Sequence, residues 1–235
     1  MRPDKSIQRI FSEVPATYEL VNHILTLGMD VRWRSRAAGV AAAGAGRGAW
    51  LDMCTGTGEM AVSLRRLAPE ETQVIGVDMS DAMLAEARSK LEAEGIEFVR
   101  AGITDLPFPD QSIDLITMSF ATRNVNLSRD ALLRAFAELH RVLKPGGLFV
   151  NLETSQPRWA LVRRCFHLYV GLLVKPVGSL ISGSSVAYAY LARTIPRFYT
   201  AEDLAGIMRE AGFDEVRFHR LLLGAAAIHE ARKAG

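Results

Sequence analysis

Cysteine is nearly missing: Cys54 and Cys165 are the only two in 235 residues. They form no disulfide framework and no metal-ligand spacing, which excludes a stapled secreted domain and suggests a reduced, cytosolic setting. The five histidines, His23, His140, His167, His219 and His229, are scattered without metal spacing. They read as structural groups, with His167 the one placed to approach a ligand, and no metal site is expected. Charge excess is also missing, because 28 Lys and Arg against 26 Asp and Glu leave +2. That gives no electrostatic case for a nucleic-acid partner. No uninterrupted apolar run reaches the roughly 18 residues of a spanning helix. Met1–Ile10 is charged with no apolar core behind it, so no signal peptide is expected. Internal repeats and low-complexity tracts are absent, and Gly44–Gly48 is the one flexible-looking linker. What remains is a chain 49% hydrophobic and 23% charged, the balance of a single globular domain.

The chain is organised around Trp50-Leu51-Asp52-Met53-Cys54-Thr55-Gly56-Thr57-Gly58-Glu59-Met60. It reads as a short apolar strand, a tight glycine turn and the start of a helix. Such a turn lets a ligand lie against backbone N–H groups where a side chain would block it. Dinucleotide-binding loops share this core, so two neighbours decide between ligands. Asp52, at the strand end, would repel a pyrophosphate but suits an ammonium or sulfonium. Asp78 ends the next apolar run, Val74-Ile75-Gly76-Val77, where it can accept both hydroxyls of a ribose. S-adenosylmethionine (SAM) fits this pair better than NAD.

Upstream, Ser6–Leu27 reads as helical, split at Pro15, and Asp30 is expected to cap a third helix running to Ala43. From Ala49 strands and helices alternate, which argues for a parallel sheet with helices on both faces. Strands are expected near 49–53, 72–78, 96–100, 113–120 and 148–152, with helices near 59–67, 81–94 and 129–142. Ser80 caps the second of these helices, and Lys144–Gly147 turns into the fifth strand. Asp52, Asp78, Ala101–Asp105 and Ser119–Arg123 all fall at carboxyl ends of strands, where such sheets bind ligands. Pro157–Pro196 interrupts the alternation with Trp159, Phe166, Leu172 and Leu173 among Arg158, Arg163, Arg164 and Lys175. It reads either as a buried insertion or as an apolar acceptor pocket or lipid-touching face. A helix near 201–211 and strands near 215–221 and 225–230 complete the chain.

Together these residues resemble the class I SAM-dependent methyltransferases. More closely, they resemble the ubiquinone/menaquinone biosynthesis C-methyltransferases, from about Ile7 to Lys233. The specific elements are Ser119-Phe120-Ala121-Thr122-Arg123-Asn124-Val125 and Arg141-Val142-Leu143-Lys144-Pro145-Gly146-Gly147. Ser182-Gly183 with Ala187-Tyr188 and Tyr190-Leu191 adds a third. The resemblance implies a Rossmann-like α/β fold with a seven-stranded, mostly parallel sheet, an N-terminal helical lid and an insertion after strand 5. It divides one domain into a lid (1–48), a SAM-binding core (49–156), an acceptor-side insertion (157–196) and a C-terminal part (197–235).

Carried over by residue, the resemblance implies a cofactor site of Tyr18, Asp52, Thr55, Gly56, Thr57, Gly58, Asp78, Met79, Gly102, Ile103 and Ser119. Tyr18 would close over the cofactor, and Arg123 and Asn124 would face the acceptor as catalytic residues. Three departures stand out. Thr55 replaces a glycine of the usual turn, which is tolerable if its backbone is not left-handed. Gly102-Ile103 replaces the pair that contacts adenine, so a backbone carbonyl or Asp105 must serve instead. Ala121-Thr122 replaces Gly-Leu before Arg123, which reshapes the acceptor pocket. The implied reaction is C-methylation of a demethylated isoprenoid quinol, either naphthoquinol or methoxy-benzoquinol. Its polyprenyl tail would bring peripheral membrane contact at the inner face. A homodimer is a further expectation. Methylation of another apolar small molecule and a non-catalytic SAM-binding subunit are the alternatives.

Overall fold

The central strands are buried along nearly continuous runs, as at Leu51–Met53, Leu115–Met118 and Leu148–Leu152, so side chains on both faces are buried and the sheet is covered on both sides. The computed structural model describes residues 15–235; the helix expected over 6–14 and the side chain of Tyr18 lie outside the described residues. Helices α1 (Pro15–Thr26) and α2 (Met29–Gly44) lead into β1 (Ala49–Met53), α3 (Glu59–Leu67) and β2 (Gln73–Asp78). Then come α4 (Asp81–Ser89), β3 (Ile96–Arg100), β4 (Ile113–Ser119), a single turn α5 (Thr122–Val125), α6 (Arg129–Val142) and β5 (Leu143–Thr154). After β5 lie α7 (Ala160–Tyr169), a π-helical turn (Val170–Val174), α8 (Lys175–Ser182) and α9 (Ser185–Thr194). The chain closes with α10 (Ala201–Glu210), β6 (Glu215–Leu221) and β7 (Ala226–Arg232).

The strands lie in the order β3-β2-β1-β4-β5-β7-β6. β7 is antiparallel to both its neighbours and the other pairings are parallel, so the mostly parallel seven-stranded sheet is as expected. One face sends Leu51, Met53, Ile116 and Met118 against Phe136 of α6 and Met208 of α10. The other sends Trp50, Leu115 and Val150 against Ala41 of α2 and Leu64 of α3. Each such side chain contributes about 1.5–3 kcal/mol by leaving water. A third cluster joins Val21 of α1 to Val170, Val174, Ala187 and Leu191. The N-terminal helix and the insertion therefore pack as one layer. Gly178 is where that layer is tightest: a Cβ there would overlap the ring of Tyr188, which is buried.

Several boundaries differ from the sequence reading. Asp30 does not cap α2; left-handed Gly28 precedes the helix and the Asp30 side chain turns inward. The helix from Asp81 stops at Ser89, and a 3-10 turn, Leu91–Ala93, replaces its expected last part. β5 is longer than expected: Leu143 already pairs with Ile113, and a register shift precedes Leu148 opposite Leu115. Lys144–Gly147 thus forms a bulge within a strand rather than a turn before one. Finally, residues Ala160–Ser182 form a continuous helix of 23 residues, long and apolar enough by length and composition to cross a membrane, with only 17% of its apolar window buried. Counting apolar residues between charges overlooks this, because hydropathy averaged along a helix tolerates Arg163, Arg164 and Lys175.

Candidate active site

After β1 the chain turns through Cys54 and Gly56, both left-handed at φ 55° and 56°. Thr55 between them is not left-handed, so its replacement of the expected glycine adds no backbone strain there. The turn borders a cavity of about 380 Å³ at the carboxyl ends of β1, β2 and β4, where the strand order reverses. Asp52, Thr55, Gly56, Thr57, Asp78, Met79, Gly102, Ile103 and Ser119 all line it, and so are brought together; Asn124, expected on the acceptor side with Arg123, lines this cavity instead. Two expected residues fall elsewhere. Gly58, at φ 85°, opens α3, and its free side faces Ala87 of α4. Arg123 is turned away from this cavity into a second one.

Asp52 is buried, and its two carboxylate oxygens accept from Thr55 Oγ1 at 2.6 Å and Thr117 Oγ1 at 2.7 Å. Burial raises its pKa to about 6, against the pull of those two hydroxyls. Asp78 accepts from the N–H of Gly56 at 3.0 Å and of Ser80 at 2.9 Å. Burial outweighs these bonds and its carboxyl also stands above the ordinary range. Ser80 performs the expected capping, accepting from the Met83 N–H. Asp105 does not reach the cavity; its N–H binds the Gly102 carbonyl at 3.2 Å, and Thr104 lines the wall in its place.

The second cavity, of about 370 Å³, lies between α1, α2 and the insertion. Its walls are apolar, with Leu25, Trp33, Phe166, Val170, Leu191 and Leu223 among them, and Arg123 is the cation on the α5 side. Arg123 is buried, and Glu153 at the end of β5 is more so. The Arg123 main-chain N–H and Nη1 each donate to Glu153 at 3.1 Å, and Nη1 also reaches Thr154 at 3.0 Å. Arg34 and Phe120 line both cavities and form their common wall. Arg123 and Asn124, adjacent in sequence, therefore present one side chain to each cavity.

Arg34 also ties the N-terminal layer to the core. Its Nη1 donates to Asp30 at 2.7 Å, and its Nη2 lies 3.1 Å from Glu59 on α3. His23 reaches the same Asp30 carboxylate at 2.8 Å. Burial raises Asp30, but hydrogen bonds from Thr26, Arg34 and His23 outweigh it and hold the carboxyl below the usual range. His23, Asp30 and Glu59 come within 4.8 Å of one another, a donor set that Arg34 already bridges as its cation. Sequence reasoning missed Arg34, Glu59 and Glu153 as site residues. The Asp30–Arg34 spacing of one helical turn was a usable signal. So was the position of Glu153 at a strand end, like Asp52 and Asp78. His167 lines neither cavity and meets Gln156 at 2.7 Å. His229 is buried, donates from Nε2 to Ala201 at 2.9 Å, and is pushed down to about 4 by burial, so it stays neutral.

The first cavity fits the expected cofactor on its own features. Gly56 and Gly102 line it, and a Cβ on either would meet no protein atom within 4 Å, so backbone stands open to a ligand. Ser119 Oγ and Asn124 Oδ1, both in its wall, are buried without a hydrogen-bond partner among the described residues. Buried polar atoms of this kind are costly unless a ligand or water satisfies them.

Comparison with known proteins agrees with this picture. Residues 2–233 match the ubiE/COQ5 methyltransferase family. A demethylmenaquinone methyltransferase of Thermus thermophilus is 40% identical over 222 residues, covering 94% of this chain and 98% of its own length. A ubiquinone/menaquinone biosynthesis C-methyltransferase UbiE of Desulfotalea psychrophila is 35% identical, covering 95% of this chain and 88% of its own. Among solved structures, a SAM-dependent methyltransferase of Thermotoga maritima, described as a possible histamine N-methyltransferase, superposes with a TM-score of 0.63. It is 21% identical and the match covers 97% of this chain and 99% of that one, which supports the fold.

Proposed function

The chain belongs to the ubiE/COQ5 methyltransferase family, and from that premise we propose that it C-methylates a demethylated isoprenoid quinol. Its cofactor is SAM, which supplies a methyl group already activated by positive sulfur. The observation that carries the acceptor reading is the pair of cavities with a common wall: a more polar one at the strand ends and a more apolar one beside it. The names of the two relatives above support a quinol ring in the apolar one.

In this reading Asp52 offers its carboxylate toward the cationic end of the cofactor, and Asp78 holds the ribose. Thr104 lies toward the adenine, and Ser119 and Asn124 offer their unpartnered oxygens. The backbone at Gly56 and the Thr57 side chain approach the methionine portion. On the other side, a quinol carbon becomes nucleophilic when the neighbouring hydroxyl, with a pKa near 10, gives up its proton. Arg123 stays protonated and cannot be that base. Glu153 fixes its guanidinium at the edge of the apolar cavity, where it stabilises a phenolate or orients a water. Excluding bulk water from that cavity strengthens the interaction. The polyprenyl tail brings peripheral membrane contact into the same reading, with the chain in the cytoplasm.

The test is methyl transfer from SAM to chemically reduced demethylmenaquinol and to the methoxy-benzoquinol in detergent, read by product mass. A gain of one methyl on either ring supports the assignment and says which ring is used. Binding of S-adenosylhomocysteine without any product would overturn the quinol acceptor while leaving the cofactor in place.

A further inference from the structure

The second cavity is edged by leucines that the fold leaves in water. Leu27, Leu222 and Leu223 line it, are 84%, 50% and 62% exposed, and have φ of 54°, 43° and 54°. A bulky side chain at positive φ is strained, and holding three of them outward around one opening is not what packing alone would favour. The adjoining helix continues the pattern. Leu161, Leu168 and Leu172 recur at spacings that share one helix face, and they are 74%, 62% and 61% exposed. An apolar surface of this extent marks a contact site.

Charge says which contact. Between Glu153 and Glu202 the chain holds no Asp or Glu and six Lys or Arg, within a protein whose formal charge is only +2. Of these cations Arg158, Arg164, Lys175, Arg193 and Arg197 are exposed. Apolar side chains flanked by cations on a long surface helix match the boundary between acyl chains and anionic headgroups. We infer that the α7–α8 face and the leucine edge of the second cavity dock on a lipid bilayer carrying anionic headgroups. The acceptor then passes between bilayer and cavity without its tail crossing water. This rests on the apolar-acceptor reading of that cavity.

The test is co-sedimentation of the full chain with vesicles of phosphatidylcholine plus phosphatidylglycerol, and with vesicles of phosphatidylcholine alone. Binding to the anionic vesicles, weakened by salt, is expected. The pair Leu168→Gln with Leu172→Gln lies outside the cavity lining and should lower the partition about tenfold or more. Arg164→Glu with Lys175→Glu should lower it comparably on anionic vesicles only. Methyl transfer to a water-soluble, tail-less quinol should be unchanged in the leucine pair, which also shows that it is folded. Equal binding to both vesicle types, or variants that bind like the parent, would overturn the docking. So would failure to bind vesicles combined with a dimer that the leucine pair dissociates, which would make the face an interface between copies. If the parent binds anionic vesicles but methylates no quinol, the acceptor reading falls and the bilayer contact stands.

Discussion

Asp52 has both carboxylate oxygens engaged by threonine hydroxyls inside the protein, and burial has raised its pKa from an ordinary 3.8 to about 6. Between those two values the unfolded chain has released a proton that the folded chain keeps. Stability therefore falls as pH rises across this window and stays lower above it. At about 1.4 kcal/mol per unit, the charged carboxylate costs the empty fold on the order of 3 kcal/mol at neutral pH. A buried charge retained at that cost suggests a ligand of opposite sign. Asp52→Asn is expected to raise the thermal midpoint of the ligand-free protein at neutral pH. It should also weaken SAM, a cation, more than neutral S-adenosylhomocysteine. Calorimetric titration with both ligands checks this, and equal losses would reduce Asp52 to a builder of the turn. Arg123 gives a second expectation at this scale. Arg123→Ala removes a cation from the acceptor side only, so turnover should fall about a hundredfold while SAM affinity holds. Because that change strands the Glu153 charge, Arg123→Ala should be compared with Arg123→Ala combined with Glu153→Gln. The double variant should regain stability but not turnover. If turnover returns with stability, the pair is structural. Asp52 and Asp78 were legible in the sequence because a carboxylate ending an apolar strand has few uses beyond a ligand. The split between Arg123 and Asn124 was not, since their direction depends on a single helical turn whose orientation is fixed by the distant Glu153.

β1 was legible as a short apolar run, and the helices were legible where one face is buried, as in α3 and α6, because periodicity there reports the core directly. It misled where a polar residue turns inward. Asp30 looks like a cap by composition, yet it is buried because Arg34, Thr26 and His23 satisfy it. That cluster is what fastens α1 and α2 to α3, through the 3.1 Å contact of Arg34 with Glu59. Removing the guanidinium leaves two largely buried carboxylates facing each other, a loss on the order of 3 kcal/mol. Arg34→Ala is thus expected to lower the thermal midpoint and to speed amide hydrogen exchange in α1 and α2. Exchange in the strands β1, β4 and β5 should change less. Uniform acceleration across the sheet would show that the cluster supports the whole fold rather than the N-terminal layer.

At the scale of the molecule, sheet order places the turn after β1 beside the ends of β2 and β4, and the polar cavity follows from the alternation of elements alone. The apolar cavity does not, because its walls come from α1, α2, the insertion and the β6–β7 connection, which are far apart in the chain. No local pattern announces that such segments meet; the third apolar cluster, joining Val21 to Val174 and Leu191, brings α1 and the insertion together. Since Arg34 and Phe120 belong to both cavities, neither can be filled without bearing on the wall of the other. On the proposed reading, a cofactor that satisfies Ser119 and Asn124 would steady α5, the turn that also carries Arg123. The acceptor then meets a site already ordered on one side. S-adenosylhomocysteine is therefore expected to tighten binding of a non-reactive quinol analogue, by about fivefold or more. By linkage the analogue must tighten S-adenosylhomocysteine by the same factor, so both titrations are run and compared. NADH should do neither. Phe120→Ala, which opens the common wall, should bring the coupling toward onefold while each ligand still binds alone. Independent affinities in the parent protein would mean that the two cavities act as separate sites, with the wall between them rigid.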